Sequence, residues 1–397
     1  MSATTPIQRA DPASRAQSRT LALLLAFDPL LLFGALALVA CSFITLRGAG
    51  DGSYADRQVL YAGIGLVLAL VITRFDYSVL REFRYVLYGL LIALNLVVFA
   101  FHSANGATRW IPLPLFQFQP SEFGKILLIV SLAAFVVDRS RRLSERRTAV
   151  RAMLLALVPA VIVMKQPDLG TGLIYIVVAV TVLFFMGVGW KYFAALTALF
   201  ALASVVVLVA APALHVQLLK PYQMDRLTTF LNPPAVCPAG VAGDTCYQLS
   251  QGLIAIGSGG KTGRGAAGAT QTRFHFIPEA QNDFIFAVVG ETYGFAGAAI
   301  VLSLYALLIW RTLRIVAMSK NLFGTLVAGG ILAMLMFQVF LNVGSATGIM
   351  PVTGVPLPLL SYGGSSMIVT FAALGLLESI HIQSRMASAG KGRVLIV

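Results

Sequence analysis

The stretch IPEAQNDFIFAVVGE, Ile277 to Glu291, sets Glu279 and Asp283 directly before an apolar run and leaves Glu291 inside it. A carboxylate on an apolar rim loses hydration, and desolvation raises its pKa toward the range in which it can take a proton from a hydroxyl. Asp283 is therefore a candidate general base. A plainer local role competes with that one, since Asn282 or Asp283 can cap a helix beginning at Phe284. Glu291, two turns deeper, is expected to face other helices and find a partner there, because an unpaired acid inside a bundle is costly. Two further places carry charge of this kind. Glu122 and Lys125 are three apart, so on a helix starting at Ser121, whose hydroxyl can cap it, they share one face, either as a packing ion pair or as part of a site. Asp168 follows Pro167 at the start of an apolar run and reads most simply as an N-cap.

The elements that must position these residues follow from composition. The chain is 58% hydrophobic and 11% charged, with a mean hydropathy of +0.84, outside the range of soluble domains. In lipid only helices and closed barrels satisfy their own backbone, and the apolar runs here are longer and more continuous than barrel strands. The sequence predicts an all-α polytopic membrane protein with ten spans, at 22–46, 57–74, 84–101, 122–137, 149–165, 169–187, 190–211, 284–310, 322–343 and 363–382. The loop DRSRRLSERRTAVR, between the fourth and fifth, carries six Arg against two acids and is expected on the cytoplasmic side. Span parity then places Arg9, Arg15, Arg19, Arg311, Arg314, Lys320, Arg385, Lys391 and Arg393 on that side, with both termini. The formal charge of +13 is accounted for by orientation and anionic headgroups, and nucleic acid is not expected as a partner. The first apolar run is too long for a cleaved signal. Residues 1–20 read as a disordered cytoplasmic lead, 21–385 as one transmembrane domain with a long extracytoplasmic loop at 212–282, and 386–397 as a cytoplasmic tail.

Cys41 falls in the first span as a small apolar residue. Cys237 and Cys246 lie in the long outer loop, where an oxidising compartment can pair them as a structural staple. Gly263, Gly265 and Gly268 spell GxGxxG but have no preceding strand, and Ala255 stands where a Walker loop needs its first glycine. Neither pattern supports a nucleotide site. Glycines beside Lys261 and Arg264 could instead let backbone N–H groups approach a phosphate.

Taken in order, RWI followed by QPSEFGK, then QPDLGT, YQ with Arg226, AIGSGG, PEAQNDFIFAVVGE and GVPLPLLSYGGSS resemble the SEDS family of shape, elongation, division and sporulation proteins over nearly the whole chain. VTGVPLPLLSYGGSS and the closing ESIH look more like the elongation member, whereas FLNP and YQLSQ are similar to the division member. The resemblance implies a peptidoglycan glycosyltransferase that polymerises lipid II into glycan strands for elongation and rod shape, on the outer face of the bacterial cytoplasmic (inner) membrane. It also implies work beside a class B penicillin-binding protein transpeptidase and the elongation machinery. The family's catalytic aspartate falls on Asp283 and its other polar positions on Arg109, Glu122, Lys125, Asp168, Arg226 and Gln251. The chain departs from the pattern at Gln281 and Asn282, where the family has His-Thr, and in the stretch around Cys237 and Cys246, which looks like an insertion.

The residues suit that chemistry without the name. An acceptor hydroxyl must lose its proton as it attacks an anomeric carbon bearing a lipid diphosphate, and one base suffices for a single inverting displacement, by analogy with inverting glycosidases. The leaving diphosphate needs cations or oriented N–H groups, for which Arg109, Lys125, Arg226 and Lys261 are candidates. A divalent cation, Mg or Mn, could share that task, although the four His are scattered and no ligand spacing is recognisable. Two other classes remain open: a flippase or transporter of the lipid-linked precursor, and a non-catalytic scaffold that recruits a transpeptidase. Polar motifs gathered on the outer side rather than at midplane favour the polymerase.

Overall fold

The computed structural model describes residues 27–49, 52–101, 109–112, 117–139, 145–205, 221–231 and 245–394. Helices α1 (Pro29–Gly48), α2 (Gly52–Ile72) and α3 (Arg84–Val97) lead to a small antiparallel hairpin of β1 (Ile111–Pro112) and β2 (Gln117–Phe118), in which Ile111 pairs with Phe118. There follow α4 (Pro120–Arg139), α5 (Glu145–Lys165), α6 (Leu169–Phe185), α7 (Trp190–Val205), α8 (Pro221–Leu231), α9 (Thr245–Gly259), α10 (Gly265–Gly268), α11 (Thr270–Arg273), α12 (Ile285–Met318), α13 (Leu322–Ala346) and α14 (Gly364–Val394). Among the described residues seven helices, α1, α2, α4, α5, α12, α13 and α14, are long and apolar enough to cross a membrane. Shorter apolar helices at Arg84–Ala100, Leu169–Phe185 and Trp190–Leu202 coincide with the other three expected spans.

Local chemistry moves several expected boundaries. The first span starts at Pro29 rather than 22, because Asp28 Oδ1 accepts the amides of Leu30 (3.1 Å) and Leu31 (3.3 Å) and Pro29 occupies the first turn, where its missing N–H costs nothing. The last helix runs on to Val394, so the stretch expected as a tail from 386 begins as helix. The stretch at 212–282, expected as an outer loop, holds four helices among the described residues, α8 to α11. The lead at 1–20 and Cys237 lie outside the described residues. Cys246 is disulfide-bonded and Cys41 is free.

Two devices set the frame of the bundle. At one end the Arg311 Nε donates to Asp28 Oδ2 at 2.8 Å and the Asp28 amide donates to Glu378 Oε1 at 3.0 Å, which ties α1, α12 and α14 together. The Glu378 and Asp28 side chains are almost wholly buried there, as paired groups inside a bundle must be. Between the ends, α14 lies directly on α2, since a Cβ on Gly375 would stand 2.7 Å from the Ala69 carbonyl oxygen. Such glycine contacts let helix backbones approach where no hydrophobic force pulls them together in lipid.

Helix α12 follows directly on the turn that carries the candidate base. Its 34 residues amount to about 51 Å at 1.5 Å per residue, well beyond the ~30 Å hydrocarbon core. Gly294, with φ +65° and ψ −159°, breaks it into a short head and a 295–318 segment of spanning length. The head packs on α9: Gly252 meets the Phe284 ring and a side chain on Gly259 would collide with the Gly290 carbonyl.

Candidate active site

The head of α12 starts at Ile285 with Phe284 in the cap position and no side-chain hydrogen bond to its first amides. Neither Asn282 nor Asp283 caps it, which corrects the simpler of the two sequence readings. Asn282 Nδ2 instead donates to Glu279 Oε2 (2.6 Å), inside a turn where the Asn282 and Asp283 amides both bond the Glu279 carbonyl (3.0 and 3.2 Å). The Asp283 carboxyl is thus left over from local structure.

What surrounds it is cationic. Gly354 has φ +73°, a conformation only glycine takes easily, and a Cβ built on it would lie 3.5 Å from Asp283 Oδ2, 3.7 Å from an Arg226 Nη1 and 3.9 Å from an Arg109 Nη1. One carboxylate and two guanidinium groups therefore converge on one point, brought by the turn before α12, by α8 and by the segment before β1. Burial pushes the Asp283 carboxyl up to about 6; Arg226 opposes that most, Glu279 adds to it, Arg109 opposes it and Asp168 adds to it. Residue 283 keeps part of its surface open while its carboxyl is largely desolvated. Arg109 Nε is buried and makes no hydrogen bond among the described residues.

Backbone ties fix this arrangement. Asn342 Nδ2, on α13, donates to the carbonyls of Asp283 (3.1 Å) and Val355 (2.9 Å). Ser361 Oγ donates to the Asn282 carbonyl (2.6 Å) and accepts the Leu357 amide (2.8 Å), while the Tyr362 amide donates to the Gln281 carbonyl (2.9 Å). The loop at 353–363 is held from below by Tyr305, whose hydroxyl donates to the Pro358 carbonyl (2.6 Å), and by Ser42 on the Leu360 carbonyl (2.6 Å).

A second polar layer joins α4 and α6. Asp168 caps α6 through the Thr171 amide (3.1 Å), as expected, and its other oxygen accepts Ser121 Oγ and Gln119 Nε2, each at 3.1 Å. Ser121 therefore bonds Asp168 rather than capping its own helix. Gln119 also accepts the Trp110 Nε1 (3.3 Å) and its amide meets Ser365 Oγ at the start of α14 (2.9 Å), so the hairpin, α4, α6 and α14 meet beside the Asp283 turn. The first turns of α4, α6, α12 and α14 all begin at this end, where helix dipoles favour negative charge.

The FtsW/RodA/SpoVE family model, described as cell cycle protein, matches residues 20–386. The chain belongs to that family. It is the SEDS family that the motifs resemble. The chain is 38% identical over 364 residues to the peptidoglycan glycosyltransferase MrdB of Escherichia coli K12, an alignment covering 91% of this chain and 95% of that one. Among solved structures it is similar to a chain of a peptidoglycan synthase complex that coordinates polymerization and crosslinking (TM-score 0.76, 34% identity, 91% and 99% of the two chains). It is also similar to the rod shape determining protein RodA of Thermus thermophilus (TM-score 0.65, 32% identity, 90% and 97%).

The structure sorts the SEDS residues singled out in the sequence. Asp283, Arg109 and Arg226 come together and Asp168 stands within electrostatic reach of them. Glu122 and Lys125 form an ion pair at 2.6 Å, each side chain 1% exposed. Lys125 is thereby committed to Glu122 and is withdrawn as a free cation for a leaving group. Gln251 is half-buried on α9, one residue before the glycine that meets Phe284. Lys261 is exposed and packs by its backbone at the Gly294 kink, nine residues or about 14 Å along α12 from its first residue, so it does not join the Asp283 cluster. The glycine loop makes no phosphate cradle with the amides of Gly263 and Arg264, which bond the carbonyls of Gly259 (2.8 Å) and Glu291 (2.9 Å). Glu291 finds its partner as expected: its carboxylate accepts the amides of Gln271 (2.8 Å) and Thr272 (2.9 Å) and the Thr272 hydroxyl (2.7 Å), holding α11 to the α12 head. Among the described residues no group of three or more His, Cys, Asp or Glu gathers as a donor set for a metal ion. Asn342, Ser361 and Gly354 escaped the sequence reading. An Asn inside the apolar run of α13 was the signal for the first, since a polar side chain there must have a partner.

Proposed function

We propose that this chain is a peptidoglycan glycosyltransferase that polymerises lipid II into glycan strands for cell elongation, with Asp283 as general base. The observation that carries the reading is the convergence of one partly desolvated carboxylate and two guanidinium groups on the point beside Gly354. With a pKa of about 6 the carboxylate is mostly ionised at neutral pH yet basic enough to take the acceptor hydroxyl's proton as that oxygen bonds to the donor's anomeric carbon.

The step balances with these groups. The acceptor hydroxyl oxygen bonds to the anomeric carbon of the second lipid-linked sugar, its proton passes to Asp283, and the carbon–oxygen bond to the diphosphate breaks with the electron pair leaving on that oxygen. Arg226 and Arg109 supply charge where the leaving group develops it, so no protonation by a general acid is needed. The anomeric centre inverts once and the proton on Asp283 passes on to water. A Mg or Mn ion carried on the diphosphate would add to that positive charge. The buried Glu122–Lys125 pair and the Asp168, Ser121 and Gln119 layer keep the floor of the site rigid.

The setting is the bacterial cytoplasmic membrane with the site facing outward. Arg311, Arg314 and Lys320 stand at the far end of α12 from Asp283, and positive residues are retained on the cytoplasmic side. The partner is a class B penicillin-binding protein whose transpeptidase crosslinks the strands, together with the elongation machinery; the likeness to a chain of a synthase complex supports it. Reconstitution of the purified chain with that partner in vesicles containing lipid II is expected to yield glycan polymer. Movement of lipid II across the bilayer with no polymer formed would instead establish a transporter.

A further inference from the structure

We propose that Asn342 is a positioning residue of this reaction, whose side-chain amide clamps the Asp283 peptide to the Gly354–Val355 turn and so sets how far the carboxylate stands from Arg226 and Arg109. The inference rests on the reading of Asp283 as base and adds a residue that touches no substrate.

The geometry is specific. Asn342 is 1% exposed, and its one NH2 group donates to two carbonyls from distant parts of the chain, Asp283 at 3.1 Å and Val355 at 2.9 Å. Both partners are acceptors only, so the nitrogen, not the oxygen, must face them. One carbonyl belongs to residue 283 itself and the other to the residue that follows Gly354, the glycine beside which Asp283 and both guanidinium groups converge. A single amide thus joins the base to the wall opposite it. The Asn342 Oδ1 is buried and has no partner among the described residues, and burying an unmade acceptor is a cost that a leucine of similar shape avoids. A leucine would in turn leave the Asp283 and Val355 carbonyls without this donor, so what asparagine secures here is the join between the two segments. The Asp283 turn keeps a second tie, Ser361 on the Asn282 carbonyl at 2.6 Å, so loss of the clamp loosens the carboxylate without releasing the segment.

The consequence for protonation is directional. The charged groups acting on Asp283 are Arg226 from α8, Arg109 from before β1, Glu279 from its own turn and Asp168 from the cap of α6; α13 contributes only the neutral Asn342 at this contact. Burial is the largest of these influences, so a slackened turn that admits water lowers the carboxyl from about 6 toward its ordinary range.

The test is the rate–pH profile of polymerisation by Asn342→Leu in the complete complex with its transpeptidase partner. The variant is expected to lose activity on the order of 10- to 100-fold, mainly in kcat, as misplacement of a reacting group by about 1 Å does, and to shift its acid limb to lower pH. Asn342→Asp, equal in shape but presenting oxygen to both carbonyls, is expected to be at least as impaired. A rate within about twofold of the parent, or a lower rate with the acid limb unmoved, would overturn the positioning role. Should the leucine variant not fold, Asn342→Gln, which keeps the NH2 group but displaces it, is read by the same two criteria. Asp283→Asn is run alongside: full activity there removes the base itself, whereas an inactive Asp283→Asn beside an unaffected Asn342→Leu removes only the clamp.

Discussion

Asp283→Asn is expected to make the protein more stable at neutral pH while abolishing its chemistry. The folded-state carboxyl has a pKa of about 6 against 3.8 for the free group, so the folded chain binds this proton more tightly than the unfolded chain does. Its stability contribution is therefore fully favourable below about pH 4, falls as pH rises toward 6, and above 6 leaves a cost of about 3 kcal/mol at 1.36 kcal/mol for each pKa unit. The attraction of Arg226 and Arg109 is already inside that balance, because both oppose the upward shift. Asparagine has the shape of the protonated acid at every pH and escapes the cost. Thermal unfolding followed in one detergent at pH 4.5 and 7.5 is the assay. The variant should unfold several degrees above the parent at pH 7.5 and close to it at pH 4.5. A variant less stable than the parent at pH 7.5, or a difference that does not change with pH, would refute the desolvation argument.

Three other outcomes follow from the same geometry. Lys125→Met leaves Glu122 buried without its cation and should destabilise the fold by ~3–5 kcal/mol, whereas the double change Glu122→Gln with Lys125→Met should recover most of that loss; unfolding temperatures of the set decide it. Gly354→Ala forces an L-residue to φ +73° at a cost of about 1–2 kcal/mol and places a methyl at the point where Asp283, Arg226 and Arg109 converge, so polymerisation should fall far more than stability. Glu291→Gln turns one of the two oxygens that meet the Gln271 and Thr272 amides into a donor, a loss of ~1–3 kcal/mol, and limited proteolysis should then cut the 260–276 segment sooner than in the parent.

How much of this was legible depended on whether a feature was local. The apolar runs were long enough to mark the bundle, and Asp168 as a cap and Glu291 as a partnered acid followed from position alone. The Asp28-Pro29 start of α1 was equally local, yet the continuous apolar run on both sides masked it. Whether Asp283 capped a helix or stood free could not be decided from residue types, because both roles ask for the same side chain; Phe284 in the cap position decided it. The glycine loop misled for a physical reason. Glycines at 259 and 263 answer backbones of α12 that lie close only in the folded chain, and in sequence such packing glycines look the same as those of an anion-binding turn. Lys125 and Lys261 both read as cations near the site, but one is spent on Glu122 and the other sits at the Gly294 kink. Asn342 joins segments 59 and 13 residues away, a contact no periodicity announces.

The central claim is that the Asp283 carboxylate takes the acceptor proton. Its most direct measurement is the initial rate of glycan formation from lipid II by Asp283→Asn in complex with the transpeptidase partner, at matched amounts of folded protein. The account predicts no polymer above background from about one pH unit below the group's value of about 6 to about three units above it. Chains of normal length formed at a rate near that of the parent would contradict it.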